Sequence, residues 1–189
     1  MPPRKRKRNR SKHRSKSAPL TALYPNHVWS YDFVTDFLRN GARLKLLCLS
    51  DEFTRQCLVI EVAASMNAAG VHKVLARLFE GHGSPAFLRS DNGPEFVQSA
   101  LQAWLPTQGV QTLTIEPGSP WQNGKSESMH GKLCDECLER ELFDTRIEAP
   151  CLIENYRIHF NSERPHSALN YQTPDEFAQS WKLSQHSLT

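Results

Sequence analysis

Asp91 and Glu127, with 35 residues between them, set the strongest limit on how this chain can fold. The first closes the run Leu88-Arg89-Ser90-Asp91, which breaks at an Asn92-Gly93 turn and at Pro94, a residue suited to the first position of a helix. The second follows Ser119-Pro120-Trp121-Gln122-Asn123-Gly124, a loop giving way to a helix. A third acid, Asp32, lies upstream in a strongly β-prone run. Carboxylates that fold together repel one another unless a hard divalent cation or trapped protons neutralise them.

The strand and helix periods show how the three could meet. From Val28 to Leu38 the residues alternate, with Trp29, Tyr31, Phe33, Thr35 and Phe37 on one face and Val28, Ser30, Asp32, Val34 and Asp36 on the other. Arg43 to Ser50 and Gln56 to Val62 are rich in Leu, Ile, Val and Cys, and the short link between them predicts three successive antiparallel strands. A helix is expected from about Asn67, carrying Val71, Val74, Leu75, Leu78 and Phe79 inward and ending at Gly81-His82-Gly83. Pro85 to Ser90 reads as a short buried strand. Pro94 then opens a helix with Phe96, Val97, Ala100, Leu101, Trp104 and Leu105 on its apolar stripe, and Val110 to Ile115 is another strand.

A long helix should run from about Gly124 to Phe143 with Met129, Leu133, Cys137 and Leu138 inward. Pro150 opens a further helix carrying Leu152, Tyr156 and Phe160. Thr173-Pro174-Asp175-Glu176 combines a cap, a first-turn proline and a capping-box glutamate, so a last helix holds Phe177 and Trp181. The order predicts an α/β fold, a mixed sheet flanked by helices with a C-terminal helical extension.

Charge divides the chain in two. The first 16 residues hold nine of the 23 Lys and Arg and none of the 20 acids, leaving 14 bases against all 20 acids in the rest. Residues 1–22 are expected to be a disordered basic arm, with Arg4, Lys5, Arg6, Lys7, Arg8 and Arg10 contacting nucleic-acid phosphates or serving as a solvated linker. Residues 23–182 should form one core and 183–189 a tail. No apolar run of about 18 residues exists to span a membrane, and the basic N-terminus lacks the apolar segment of a secretory signal. Five scattered cysteines suit a reducing cytoplasm.

On this layout Asp32 sits mid-strand, Asp91 at a strand's C-terminal end and Glu127 in the first turns of a helix, positions that can converge at one sheet edge. Oxygen ligands suit magnesium or manganese. Two ions roughly 3.5–4 Å apart would activate an attacking oxygen and stabilise a leaving one, with Asp32 bridging and Asp91 and Glu127 each completing one shell. Asp36 shares the predicted face of Asp32 and is its alternative, whereas Glu95 reads as a helix-start charge. Cys134-Asp135-Glu136-Cys137 has the spacing of a zinc or redox pair, but no second pair accompanies it.

The chain resembles, over nearly its whole length, the integrase-type catalytic core of bacterial insertion-sequence transposases. The likeness rests on Trp29-Ser30-Tyr31-Asp32, Ser90-Asp91-Asn92-Gly93-Pro94-Glu95-Phe96, Pro117 through Gly124, Glu127-Ser128, and Asn161-Ser162-Glu163-Arg164-Pro165-His166-Ser167-Ala168-Leu169 followed by Thr173-Pro174. The resemblance implies a ribonuclease H-like fold with a five-stranded sheet and the Asp-Asp-Glu triad shared with retroviral integrases. It also implies cleavage of a donor strand by water and attack of the freed 3′-hydroxyl on target DNA. Asn92, Gly93, Asn123, Gly124, Arg164 and His166 would then support the site, and Trp121, Lys125 and Lys132 would contact DNA. Arg164 and His166 have a second reading, as contacts to DNA phosphate. Trp121 either stacks on an unpaired base or anchors its own loop.

Two departures from the family pattern stand out. Family members commonly begin with a helix-turn-helix portion that reads the element's ends, and nothing upstream of residue 28 could form one. The expectation is a truncated or separately encoded catalytic half, acting as a homodimer or with a full-length or DNA-reading transposase subunit in the bacterial cytoplasm, at the nucleoid. The family also carries Lys or Arg seven residues after the glutamate, where this chain has Cys134. These departures leave open an alternative: a non-catalytic, DNA-binding or dimerising fragment that inhibits full-length transposase or survives as a relic.

Overall fold

The computed structural model describes residues 20–90, 99–114 and 124–186 of the 189. Three strands open it, β1 (Val28–Phe37), β2 (Arg43–Asp51) and β3 (Cys57–Ala63), then α1 (Ala68–His82), β4 (Phe87–Ser90), α2 (Ser99–Thr107), β5 (Gln111–Thr114) and α3 (Gly124–Leu133). A π-helical turn (Cys134–Leu138), α4 (Glu148–Ser162), a 3-10 turn (Ser167–Leu169) and α5 (Pro174–His186) complete the order. The five strands lie in the order β3-β2-β1-β4-β5, so β1 is central. β1 runs antiparallel to β2, with Trp29 opposite Asp51 and Asp32 opposite Cys48, and parallel to β4, with Ser30 beside Arg89. The expected mixed sheet is therefore present.

Alternation along β1 and β2 feeds two cores, one on each face of the sheet. Trp29, Tyr31, Leu47 and Leu49 pack with Val71, Leu75 and Phe79 of α1 and Leu101 and Leu105 of α2. Val34, Leu44, Leu46 and Cys48 pack with Met129 and Leu133 of α3 and Ile153 and Phe160 of α4. A sheet buried on both faces between helices gives the layered α/β arrangement that the hydrophobic periods predict. On α2, Trp104 stacks on Phe79 at 5.3 Å between ring centroids, while Ala100, expected on the apolar stripe, is exposed. Pro94, Phe96 and Val97 lie outside the described residues.

The ends of α1 and the start of α5 fall where the sequence predicts them, each with a local cap. The Asn67 side chain accepts from the Gly70 amide, and Gly83, at φ +80°, ends α1 with its amide on the Phe79 carbonyl. Thr173 and Glu176 cap α5 reciprocally: the Thr173 amide donates to Glu176 Oε2 at 2.8 Å, and the Glu176 amide to Thr173 Oγ1 at 3.2 Å. Phe177 and Trp181 of α5 then pack on Phe53 in the β2–β3 turn.

Two expected helix boundaries are corrected. The helix from Gly124 does not reach Phe143: after Leu133 the backbone switches to the wider π turn, with the Glu139 amide on the Cys134 carbonyl at 2.9 Å. Glu136 is drawn to Arg164 within that turn, and the chain then leaves the helix so that Phe143 can bury its ring and its carbonyl can accept the Arg39 amide. Met129, Leu133 and Cys137 face inward as their spacing predicts, and Leu138 packs at the edge of that core. The next helix begins at Glu148, ahead of Pro150. Thr145 accepts the Glu148 amide and Glu148 accepts the Asp144 amide, a reciprocal cap that starts the helix early and leaves Pro150 in the first turn, where no amide is missed.

Asn161 fastens α4 to the sheet. Its side chain accepts the Cys57 amide at 2.8 Å and donates to the Cys57 carbonyl at 2.9 Å, closing the start of β3. Asn161→Ala leaves that amide buried without its partner and should destabilise the fold by about 2 kcal/mol, read as a lower denaturant midpoint at unchanged slope.

Candidate active site

β1 brings Asp32 to the middle of the sheet with 22% of its side chain exposed. Its Oδ1 accepts the Phe33 amide at 2.7 Å, and its Oδ2 lies 3.1 Å from Nδ1 of His130. His130 stands on α3 three residues after Glu127, one helical turn, so the contact ties that helix to the strand bearing Asp32. His130 belongs to none of the family-like sequence motifs. Only its spacing from Glu127 points to it, and that becomes meaningful once α3 is seen to lie against β1. Asp36, four residues further along the same strand, is half-buried beside the π turn, where it contributes to keeping the Cys134 and Cys137 thiols protonated.

β4 ends at Ser90, one residue before Asp91 in the chain, and pairs with the β1 segment that leads into Asp32. Asp91, Asn92, Gly93, Glu95, Trp121, Asn123 and the basic residues Arg4, Lys5, Arg6, Lys7, Arg8 and Arg10 lie outside the described residues. Gly124, Lys125 and Glu127 lie within α3, but the side chains of Lys125 and Glu127 fall outside the description. Among the described residues no three His, Cys, Asp or Glu side chains form a metal-binding group. Asp32 itself fits a hard cation: it is an oxygen donor, half-open, and already oriented by two partners.

The end of β4 is anchored by charge. Arg89 and Glu52 form an ion pair at 3.0 Å with 7% and 1% of their side chains exposed, and Arg89 Nη2 also donates to the Leu20 carbonyl at 2.6 Å. The pair joins the strand that leads to Asp91 to the β2–β3 turn. Arg89→Met strands the Glu52 charge in the interior and should cost about 3–5 kcal/mol in equilibrium unfolding.

Behind α3, Arg164 grips Glu136 through Nε at 2.8 and 3.0 Å, and this hydrogen bonding holds the Glu136 carboxyl below the usual carboxylate range. His166 is buried against Phe160, with ring centroids 4.7 Å apart. Burial first, then the charges of Lys132 and Arg164, push its imidazole down to about 4, so the ring is neutral near pH 7. Cys134 is half-buried against the α3–α4 core, and Cys137 is buried within it. Burial pushes the Cys137 thiol up to about 11 and raises that of Cys134, the reverse of what a zinc or redox pair requires.

The depressed His166 value gives stability its sign with pH. The unfolded chain binds the proton near pH 6.5 and the folded one only near 4, so stability is full above 6.5 and is lost as pH falls through that window. Unfolding at pH 5 should show a loss of about 2 kcal/mol relative to pH 7 from this group, and His166→Gln should remove that part of the slope.

The sheet order, with a central strand flanked by one antiparallel and one parallel neighbour and helices on both faces, defines a ribonuclease H-like fold. The magnesium-bound catalytic core domain of HTLV-2 integrase superposes with TM-score 0.66, at 18% identity, covering 82% of this chain and 98% of that one. The simian T-cell lymphotropic virus intasome gives TM-score 0.73 at 16% identity, covering 85% of this chain and 57% of that one.

The integrase core domain model matches residues 22–120, and a second model of the same description matches residues 108–174; the chain belongs to the integrase core family. It is 44% identical over 154 residues to the insertion element IS407 31.7 kDa protein of Burkholderia multivorans, covering 82% of this chain and 56% of that protein. It is 39% identical over 166 residues to the insertion element IS476 39.2 kDa protein of Xanthomonas euvesicatoria, covering 88% of this chain and 48% of that one. The chain thus spans about half the length of these relatives. It is an integrase-type catalytic core of the kind bacterial insertion elements carry.

Proposed function

We propose that this core cuts a DNA strand and joins the freed 3′-hydroxyl to a second DNA, with Asp32, Asp91 and Glu127 as the carboxylates that hold one or two magnesium or manganese ions. One observation carries the reading: α3, which contains Glu127, is tied to Asp32 through His130, and β4, hydrogen-bonded beside β1, hands the chain on one residue before Asp91. The HTLV-2 integrase core, a structural neighbour solved in complex with magnesium, supports the choice of ion. Bound at such a site, the metal supplies Lewis-acid polarisation of a phosphate and lowers the pKa of the attacking water or hydroxyl.

The chain's own residues orient the ligands and the DNA. The Phe33 amide and His130 hold the Asp32 carboxylate in one pose, so little of its ordering cost falls on the reaction. Asp32, Asp91 and Glu127 would together hold the metal. Arg164, through Glu136, and His166, against Phe160, support α3 from behind. Asn92, Gly93, Asn123 and Gly124 shape the two loops around the acids, while Trp121, Lys125 and Lys132 position DNA.

Arg4, Lys5, Arg6, Lys7, Arg8 and Arg10 add sequence-independent phosphate contacts. The partners are element-end and target DNA, with a second copy or a full-length or DNA-reading transposase subunit. The DNA substrate places its action at the bacterial nucleoid; among the described residues no helix is long and apolar enough to cross a membrane.

Cys134, half-buried where the family pattern has a cation, supports the second reading, a non-catalytic fragment that binds DNA or full-length transposase. A pre-cleaved element end incubated with target DNA separates the two. The first reading expects strand transfer that needs magnesium or manganese and falls to background in Asp32→Asn, Asp91→Asn and Glu127→Gln. Equal activity in the wild type and all three variants would remove the catalytic assignment.

A further inference from the structure

A cavity of about 230 Å³ opens between the β2–β3 turn, α3 and the segment after α4, lined among others by Ser50, Arg55, Ser128, Lys132, Phe160 and His166. Ser128 is the residue after Glu127, so the cavity flanks the helix of the proposed triad. Two acids also border it, but both are already engaged. Asp51 accepts the Asn26 amide at 2.6 Å, the Phe53 amide at 2.7 Å and the Thr54 amide at 3.0 Å, and Glu52 is paired with Arg89.

The cations are in the opposite condition. Among the described residues neither the Arg55 guanidinium nor the Lys132 ammonium makes an ion pair within 4 Å, although both side chains are half-buried. Burial lowers the pKa of each, most strongly among its causes; Glu52 and Asp51 partly offset this at Arg55, and at Lys132 Arg164 and Arg55 lower it further while Glu136 raises it. Burial first, then the charges of Lys132, Arg164 and Arg55, keep His166 neutral. With both bordering acids held by other partners, two cations that lack an ion pair among the described residues are stabilised when an anion enters the cavity, the converse of the argument made for the three carboxylates.

We propose that this cavity is a phosphate subsite, in which Arg55 and Lys132 together grip one backbone phosphodiester of the DNA. Arginine supplies a planar fork and lysine a point charge, the pair of donors that a phosphate with two free oxygens can use at once. The ligand is a polyanion rather than a small metabolite because the cavity reaches Ser128, one residue from the proposed catalytic acid. Apart from its first 16 residues the chain carries more acids than bases, so DNA needs a local cationic foothold to approach those carboxylates. The subsite rests on the reading of DNA as substrate and adds where one of its phosphates is held.

The test is binding of a short mixed-sequence duplex, read by fluorescence anisotropy without divalent metal, over a range of salt concentrations. Arg55 has φ +65°, so Arg55→Asn removes the charge with a residue that tolerates that conformation, and Lys132→Gln keeps a good helix former. The double variant should bind about tenfold more weakly than wild type, with a log–log salt slope shallower by about 0.9, one phosphate contact. Lys132→Arg should restore binding, and its melting temperature and those of the Gln and Asn variants verify that the fold is retained.

Wild-type affinity and slope in the double variant would overturn the subsite. So would an equal loss in Arg146→Gln, which removes a charge from the exposed surface, since the effect would then be general. Inorganic phosphate at constant ionic strength should displace the duplex from wild type no better than from the double variant; selective displacement would overturn the backbone phosphodiester as occupant. Strand transfer in magnesium tests the catalytic assignment and metal-free duplex binding tests the subsite, so failure of the one and failure of the other appear in different measurements.

Discussion

Pairing of β1 on both of its edges is the constraint from which the rest of the molecule follows. Its amides and carbonyls are engaged by β2 on one side and, near its start, by β4 on the other, and its two faces feed two separate cores. A strand held in this way has little freedom to twist or slide, because a slip of one residue would exchange the faces and bury Asp32 and Asp36 among the α1 and α2 side chains. Asp32 consequently occupies a place defined by the whole sheet. The half-open carboxylate is tolerated because the Phe33 amide and His130 engage both of its oxygens.

Two further fastenings build outward from β1, and both use charge where apolar packing would give no direction. The buried Arg89–Glu52 pair secures the end of β4 to the β2–β3 turn, and Arg164 secures the π turn behind α3 through Glu136. A buried pair contributes little net stability against an apolar substitute, yet removing one partner is costly, so its effect is to make one arrangement of the elements preferred. Lys132 and Arg55 lie between these two fastenings beside the neutral ring of His166, and the repulsion between the two cations is a cost of bringing them to that flank of the helix. The cavity they line and the carboxylate on β1 border the same helix.

Local chemistry was the part of this fold that could be read in advance. Gly83 as a helix end and the Thr173–Glu176 box involve residues within a few positions of their partners, and each formed as its spacing predicts. The end of α3 was not readable in this way. Apolar spacing continues through Cys137 and Leu138, but the turn after Leu133 coincides with the hold of Arg164 on Glu136, 28 residues on, and with the burial of Phe143. His130 is invisible to motif reading for the same reason: its partner is Asp32, on a strand nearly a hundred residues earlier.

The order of amino acids by itself settled the alternation that makes β1 and β2 two-faced, the ends of several helices, the concentration of nine bases in the first 16 residues, and the motifs that identify an integrase-type core. Each depends on neighbours along the chain or on residue types alone. Tertiary structure decided that His130 meets Asp32, that Arg89 is neutralised by Glu52, and that Arg55, Lys132 and His166 share one cavity. Such contacts between distant segments exist only when the sheet register and helix packing have fixed positions that no local propensity encodes, because electrostatic energies of this kind depend on separations of a few ångströms.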